Sequence, residues 1–274
     1  MGARAAWIDI DLDAVRHNVG YLRSLVGEAK VMVVVKANGY GHGAVQVAEA
    51  ALEAGAHGLC VALVQEGIEL RRAGIESPIL VLSEQPLDQV GDIVAHGLIA
   101  TAYSVSFIDA LEQEVRLRNV VGQEVHLKID TGMNRVGCKP SDAVELGGRI
   151  MARSPELVLG GVFTHLASAD DLDSKFTDQQ ISKFDMTVAA LKQAGVETGW
   201  IHIANSAGAI GHSHSHRDMV RVGIAMYGLS PDVKTLGDSA SLGLKPAMQL
   251  RARLHLLLCP QHPPVLGLWR RPGL

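Results

Sequence analysis

Cysteine is scarce in this 274-residue chain: Cys60, Cys138 and Cys259 are odd in number, far apart and free of any C-x-x-C spacing. That argues against a disulfide framework and against a cysteine zinc site. Long apolar runs are also missing, and none approaches the ~20 residues that cross a bilayer. The start, MGARAAWIDIDLD, acquires acids too early for the apolar stretch of a secretory signal. The expectation is a cytoplasmic protein without a membrane partner. Nor is there a basic footprint: 25 Lys and Arg are scattered among 29 Asp and Glu for a formal net charge of -4, so no nucleic-acid partner is expected. No internal repeat is found.

What the chain has is apolar material. Hydrophobic residues make up 47% and charged residues 20%, enough for a sizeable core and too little charge for a disordered chain. Apolar, β-rich runs recur at Val31 to Val35, Leu59 to Val64, Ile79 to Leu82, Leu98 to Ala102, Val125 to Ile129, Leu157 to Phe163, Trp200 to Ala204 and Met219 to Met226. Helical patterns alternate with them, as at Ala44 to Ala54, Ser104 to Arg116, Ser141 to Ala152 and Lys175 to Ala194, with Ser104, Ser141 and Ser174 as N-caps. Eight strands alternating with helices is the arithmetic of an α/β fold, the (β/α)8 TIM barrel, here spanning residues 1–235. Before it, Ile8, Ile10 and Leu12 alternate with Asp9 and Asp11, so residues 6–12 read as a half-buried strand outside the barrel that needs a partner sheet. Residues 236–274 read differently: Pro260, Pro263, Pro264 and Pro272 crowd a tail with neither helical nor strand period.

The chemistry concentrates first at VMVVVKANGYGHG, residues 31–43, where an apolar strand runs into a lysine and a glycine-rich turn. Such a strand is buried on both faces and carries Lys36 to the rim of the sheet, where lost solvation favours the neutral amine that condenses with an aldehyde. The bland alternative is a rim lysine that snorkels into water. Gly39, Gly41 and Ala44 also spell G-x-G-x-x-A with Glu66 downstream, a dinucleotide signature undercut by the three residues between strand and first glycine. Their N–H groups still suit an anion such as phosphate. Further polar residues fall at the C-terminal ends of later strands: Lys128, Asp130, Arg135, His165, Asn205, Ser206, Arg221 and Gly223. That rim is where barrel enzymes build their sites. His212, His214 and His216 alternate, but within a segment rich in serine and glycine that reads as a loop, so no metal is assigned.

The blocks AAWIDIDLDAVRHNV, VVVKANGYGHGA, LKIDTGMNRVG, GGVFTHLASAD, HIANSAGA and MVRVGIAMYGLSP, in this order between about Ala6 and Arg253, resemble alanine racemase, a pyridoxal 5'-phosphate (PLP) enzyme. The resemblance implies that Lys36 holds PLP covalently and serves as one of two catalytic bases. It makes Tyr40, Asn205, Ser206, Gly223 and Ile224 cofactor contacts, sets Arg221 against the pyridine nitrogen and brings Arg135 to the substrate carboxylate. His165 joins a network linking Arg221 to the second base, and Lys128 stands where the family often carries a carbamylated lysine. It further implies interconversion of L- and D-alanine, D-alanine for peptidoglycan, and a homodimer.

One departure stands out. In the family a second, β-rich domain follows the barrel, and a tyrosine near its start serves the partner subunit's site as the opposite-face base. This chain follows the pattern through LKPAMQLRARL and then enters the proline-rich tail, so residues 236–274 read as a truncated start of that domain, as after a frameshift or premature stop near Leu254. Tyr21, Tyr40, Tyr103 and Tyr227 are the only tyrosines, and none is in the expected place. The expectation is a truncated, weakly active or inactive racemase for which the homodimer is doubtful. The alternative is a barrel-only protein of PLP binding and homeostasis.

Overall fold

The computed structural model describes residues 6–253. The proline-rich tail and Cys259 lie outside the described residues. The chain runs through β1 (Ala6–Ile10), β2 (Lys30–Val34), β3 (Gly58–Val61), β4 (Ile79–Val81), β5 (Ala100–Ala102), β6 (Gln123–Lys128), β7 (Leu157–Phe163), β8 (Trp200–His202), β9 (Met219–Val222) and β10 (Met248–Ala252). Strands β2 to β9 form one parallel sheet in the order β4-β3-β2-β9-β8-β7-β6-β5, and a parallel bridge between Leu80 and Ile99 joins its two ends. Helices on the outside alternate with the strands, which completes a (β/α)8 barrel.

Strand periodicity sorts the core into two clusters. Val31, Val33 and Val35 pack outward among the helices. Met32 and Val34 pack inward with Cys60, Leu80, Ile99 and Met219. The strand therefore is buried on both faces, as its composition implies. Period two then places Lys36 on the inward side of β2, and the same rule aims His126 and Lys128 from β6, Phe163 and His165 from β7, His202 from β8 and Arg221 and Gly223 from β9.

Several boundaries differ from the sequence reading. The Leu59 to Val64 run is strand only to Val61, because the helix Val64–Arg72 begins within it. The Met219 to Met226 run is strand to Val222 and then a 3₁₀ turn, Ile224–Tyr227. Ser104 and Ser174 cap their helices, accepting from the N–H of Phe107 and Phe176. Ser141 does not cap: it sits in a 3₁₀ turn, Pro140–Asp142, ahead of the helix Ala143–Met151. Pro140 sets the backbone of that turn, and the Ser141 hydroxyl bonds the Asp142 carboxylate instead.

The half-buried strand outside the barrel finds its partner. β1 pairs antiparallel with β10, Ile8 facing Leu250, and Arg251 is 2.7 Å from Asp9. Ile8 and Leu250 are 54% and 78% exposed, so one face of this two-stranded ribbon is apolar and open. The helix Leu12–Val26, capped by Asp11, locks the ribbon's approach to the barrel through Asn18, whose amide donates to the carbonyls of Met226 and Lys245 while its oxygen accepts from the Lys245 N–H. The helix Val233–Leu236 runs across residue 235, and Leu244 and Ala247 beyond it are buried in the main core.

Candidate active site

The turn after β2 is the most strained backbone in the barrel. Ala37, Asn38, Gly39 and Tyr40 all have φ between 51° and 61°, the left-handed region that costs L-residues about 1–2 kcal/mol each. The strain is held by polar contacts. Glu66 Oε1 accepts from the Ala37 N–H at 2.6 Å, Glu66 Oε2 accepts from Ala62 and Leu63, and Asn38 Oδ1 accepts from Ala44. Glu66 is therefore not a ribose ligand but the clamp on the segment that presents Lys36 and Tyr40. Tyr227 backs the same turn: its hydroxyl donates to the Val34 carbonyl at 3.0 Å and its ring lies 5.1 Å from that of Tyr40.

Lys36, Tyr40, Lys128, Arg135, His165, Asn205, Ser206, Arg221, Gly223 and Ile224, drawn from five strand ends and their loops, line one cavity of about 420 Å³. This size suits a small cofactor with a small substrate. Among its lining residues four cations, Lys36, Lys128, Arg135 and Arg221, face one carboxylate, Asp170. That balance favours an anionic ligand.

Arg221 forms its floor. The side chain is 3% exposed, and three of its N–H donors are met: Nη1 bonds His202 Nδ1 at 2.7 Å, Nη2 donates to the Thr164 and Ile203 carbonyls, and the guanidinium lies 5.0 Å from the Phe163 ring centre. Burial lowers its pKa to about 10, which leaves it charged at neutral pH. Because arginine only donates, His202 must accept at Nδ1 and carry its proton on Nε2. That nitrogen lies 2.9 Å from His126 Nδ1, and His126 Nε2 lies 3.0 Å from Glu124. A single proton order thus runs from Arg221 through two neutral histidines to a carboxylate. Burial, then the charge of Arg221, holds His202 well below the usual histidine range.

His165 enters the cavity beside this chain rather than within it; among the described residues Arg221 is bonded to His202, not to the His165 ring. Burial first, and the Arg221 charge second, push His165 down to about 3, so it is neutral. Its carbonyl accepts from Gln180, which also donates to Thr131 and accepts from the Ala167 N–H. Lys128, 5% exposed, donates to the Leu82 carbonyl at 2.8 Å and faces Phe163. Burial, followed by repulsion from Arg221 and Arg135, lowers it to about 7. Asp130 folds the next loop by accepting from Gly132 and Asn134, which brings the exposed Arg135 to the cavity.

Ser206 Oγ accepts from the Gly223 N–H at 2.9 Å and the Ala225 N–H at 3.3 Å. Asn205 caps the helix Ser206–Gly211 and donates to the Leu166 carbonyl. A Cβ on Gly223 would meet the Tyr40 hydroxyl at 3.1 Å, so glycine keeps a small polar cradle open between Tyr40, Ser206 and the 223–224 backbone. A phosphate suits that cradle, the Lys36 amine lines the same cavity and a charged guanidinium closes the floor. These residues fit PLP. His202 and His126 are the parts that motif reading misses, although strand parity points to both, and Glu66 is read there as part of a dinucleotide signature.

Comparisons with known proteins agree with this geometry. The family model "Alanine racemase, N-terminal domain" matches residues 10–231. Alanine racemase of Symbiobacterium thermophilum is 43% identical over 256 residues, covering 93% of this chain and 67% of its own length. Among solved structures, alanine racemase from Streptomyces lavendulae superposes with a TM-score of 0.88 at 37% identity over 92% of this chain and 66% of its own. The enzyme from Bacillus anthracis, solved with bound L-Ala-P, gives 0.81 at 36% over 91% and 64%. The chain spans about two thirds of the length of such relatives. It belongs to the alanine racemase family.

Proposed function

We propose that this chain binds PLP through Lys36 and acts on alanine, moving the proton at Cα. The observation that carries the reading is the convergence of all ten expected residues on one cationic cavity with a charged Arg221 at its floor. PLP, when bound, supplies a conjugated ring that accepts negative charge from the substrate's Cα.

The chain's own residues do the rest. Tyr40, Ser206 and the backbone of Gly223 and Ile224 hold the phosphate, and Arg135 binds the substrate carboxylate. Lys36 takes and returns a proton on the face it occupies. Arg221 keeps its proton, so a PLP ring nitrogen placed against it would stay unprotonated and the ring would draw less charge away from Cα. This favours return of the proton to carbon over transamination, and it disfavours decarboxylase-like chemistry, which needs an acidic residue in that place. Lys128 adds CO₂ at its neutral amine, forming an N–C bond and releasing one proton; the resulting carbamate is an anion that pairs with Arg135.

The opposite face needs a second base. None of the chain's four tyrosines fills the place that the family resemblance assigns to it. The described residues supply a base on the Lys36 face, and full interconversion for peptidoglycan D-alanine requires a second base on the opposite face, which in the family comes from the partner of a homodimer. Loss of one positioned base lowers the rate about 10² to 10⁴-fold.

Borohydride reduction followed by peptide mapping tests cofactor attachment: a pyridoxyl group is expected on Lys36, and one on another lysine, or on none, overturns the assignment. Deuterium exchange at Cα with chiral analysis tests the chemistry. Exchange without inversion is expected, whereas inversion at an ordinary enzymatic rate would falsify the one-sided reading. Cofactor on Lys36 with no exchange favours the binding protein.

A further inference from the structure

We propose that Asp178, His212 and His214 form a site for a zinc-class transition-metal cation, separate from the cavity. Each offers one ligand atom, and these atoms all lie within 4.8 Å of one another. They come from two segments. Asp178 is in the first turn of the helix Lys175–Gln193, while His212 and His214 follow the helix Ser206–Gly211.

The geometry around the histidines favours coordination over chance proximity. His212 is 8% exposed, and its Nε2 lies 3.1 Å from the Ala169 carbonyl. A carbonyl only accepts, so Nε2 carries the proton and Nδ1 keeps the lone pair that a metal needs. A backbone carbonyl fixing one ring nitrogen is the usual support for a metal-bound histidine. His214 Nε2 and Asp178 Oδ1 are 3.4 Å apart. Two ligands at ~2.0–2.1 Å from tetrahedral zinc are separated by roughly this much. Both side chains are more than half exposed, which leaves water to complete the shell and gives the ion a path in. Two imidazoles and one carboxylate suit zinc, nickel or copper better than magnesium or calcium. His216 lies outside the cluster of ligand atoms, and its Nε2 is bonded to the Ala209 carbonyl at 2.9 Å.

The bound ion ties together two segments that hold the cavity. Gln180, two residues beyond Asp178, fixes the loop after His165, and the helix that ends before His212 begins with Ser206. A ligand that binds only the folded arrangement raises its apparent stability with concentration.

The test uses the full chain without a histidine tag, stripped with chelator and titrated with zinc chloride against a chromophoric chelator, with thermal unfolding in parallel. One equivalent of zinc is expected, with a Tm that climbs with free zinc and does not respond to magnesium. H214A and D178N, at exposed positions, are expected to keep the circular dichroism of the parent while zinc affinity falls at least tenfold and the Tm response is lost. Undiminished zinc affinity in either folded variant, or an equal response to magnesium, overturns the proposal.

Discussion

Arg221 on the barrel floor and Lys128 on its wall are almost equally buried, 3% and 5% exposed, and both face Phe163. The protein nevertheless leaves one charged near pH 10 and brings the other to neutrality near pH 7. Much of the difference is intrinsic, since a guanidinium starts from 12.5 and an amine from 10.5, and the rest lies in neighbours. Arg221 spends its donors on a histidine and two carbonyls, whereas Lys128 has one carbonyl among the described residues and two cations as neighbours. Burial by itself does not decide whether a cation becomes reactive; its intrinsic basicity and the charges placed beside it also count.

The comparison breaks first at Arg221. R221M strands His202 Nδ1 and two buried carbonyls, and urea unfolding should show a loss of about 3–5 kcal/mol. A loss below about 1 kcal/mol would mean that the floor does not depend on its partners. Glu66 extends the argument to an anion. E66A removes both oxygens that hold Ala37, Ala62 and Leu63, and a loss of about 2–3 kcal/mol is expected, along with slower borohydride trapping of cofactor at Lys36. E66Q should recover part of both effects, since one oxygen remains.

Lys128 gives the pH arm. Its folded pKa near 7 lies below the ~10.4 of an unfolded lysine, so the unfolded chain binds the extra proton between those values. Its contribution is complete above the unfolded value and is lost as pH falls through 7. In CO₂-free buffer, stability of the parent relative to K128M should therefore rise by about 1.5 kcal/mol from pH 7 to 8.5. A flat difference would show that Lys128 is as well solvated as an ordinary lysine. The smallest effect belongs to Tyr227, where Y227F removes one hydroxyl bond to Val34 and should cost about 1 kcal/mol.

Much of this was legible in the chain itself. Parallel strands buried on both faces read as continuous apolar runs, which is why Leu157–Phe163 was recovered with its observed limits. The polar residues at strand ends were visible for the converse reason, since each interrupts such a run. Short strands were overextended, as at Trp200–His202, because Ile203 and Ala204 are buried without belonging to the ladder. His126 was missed because a histidine inside an apolar strand carries no motif, and His202, although it opens the block HIANSAGA, because nothing in that block shows its partners. Their importance appears only when neighbouring strands bring Arg221 and Glu124 to opposite ends of the pair. Glu66 was noticed for the wrong chemistry, since nothing in its spacing reveals that three backbone N–H groups turn toward it.

The ribbon of β1 and β10 sets an order of assembly. Asn18 meets its Lys245 partner across 227 residues, and Ala6 faces Ala252. On a ribosome adding about 5–20 residues per second, the first strand and helix wait roughly ten to fifty seconds for those partners to be made. During that interval the helix can pack on Lys30–Val34 and Ala44–Glu53, but Trp7 and Ile8 have no strand beside them. The first strand synthesised is then among the last to be paired.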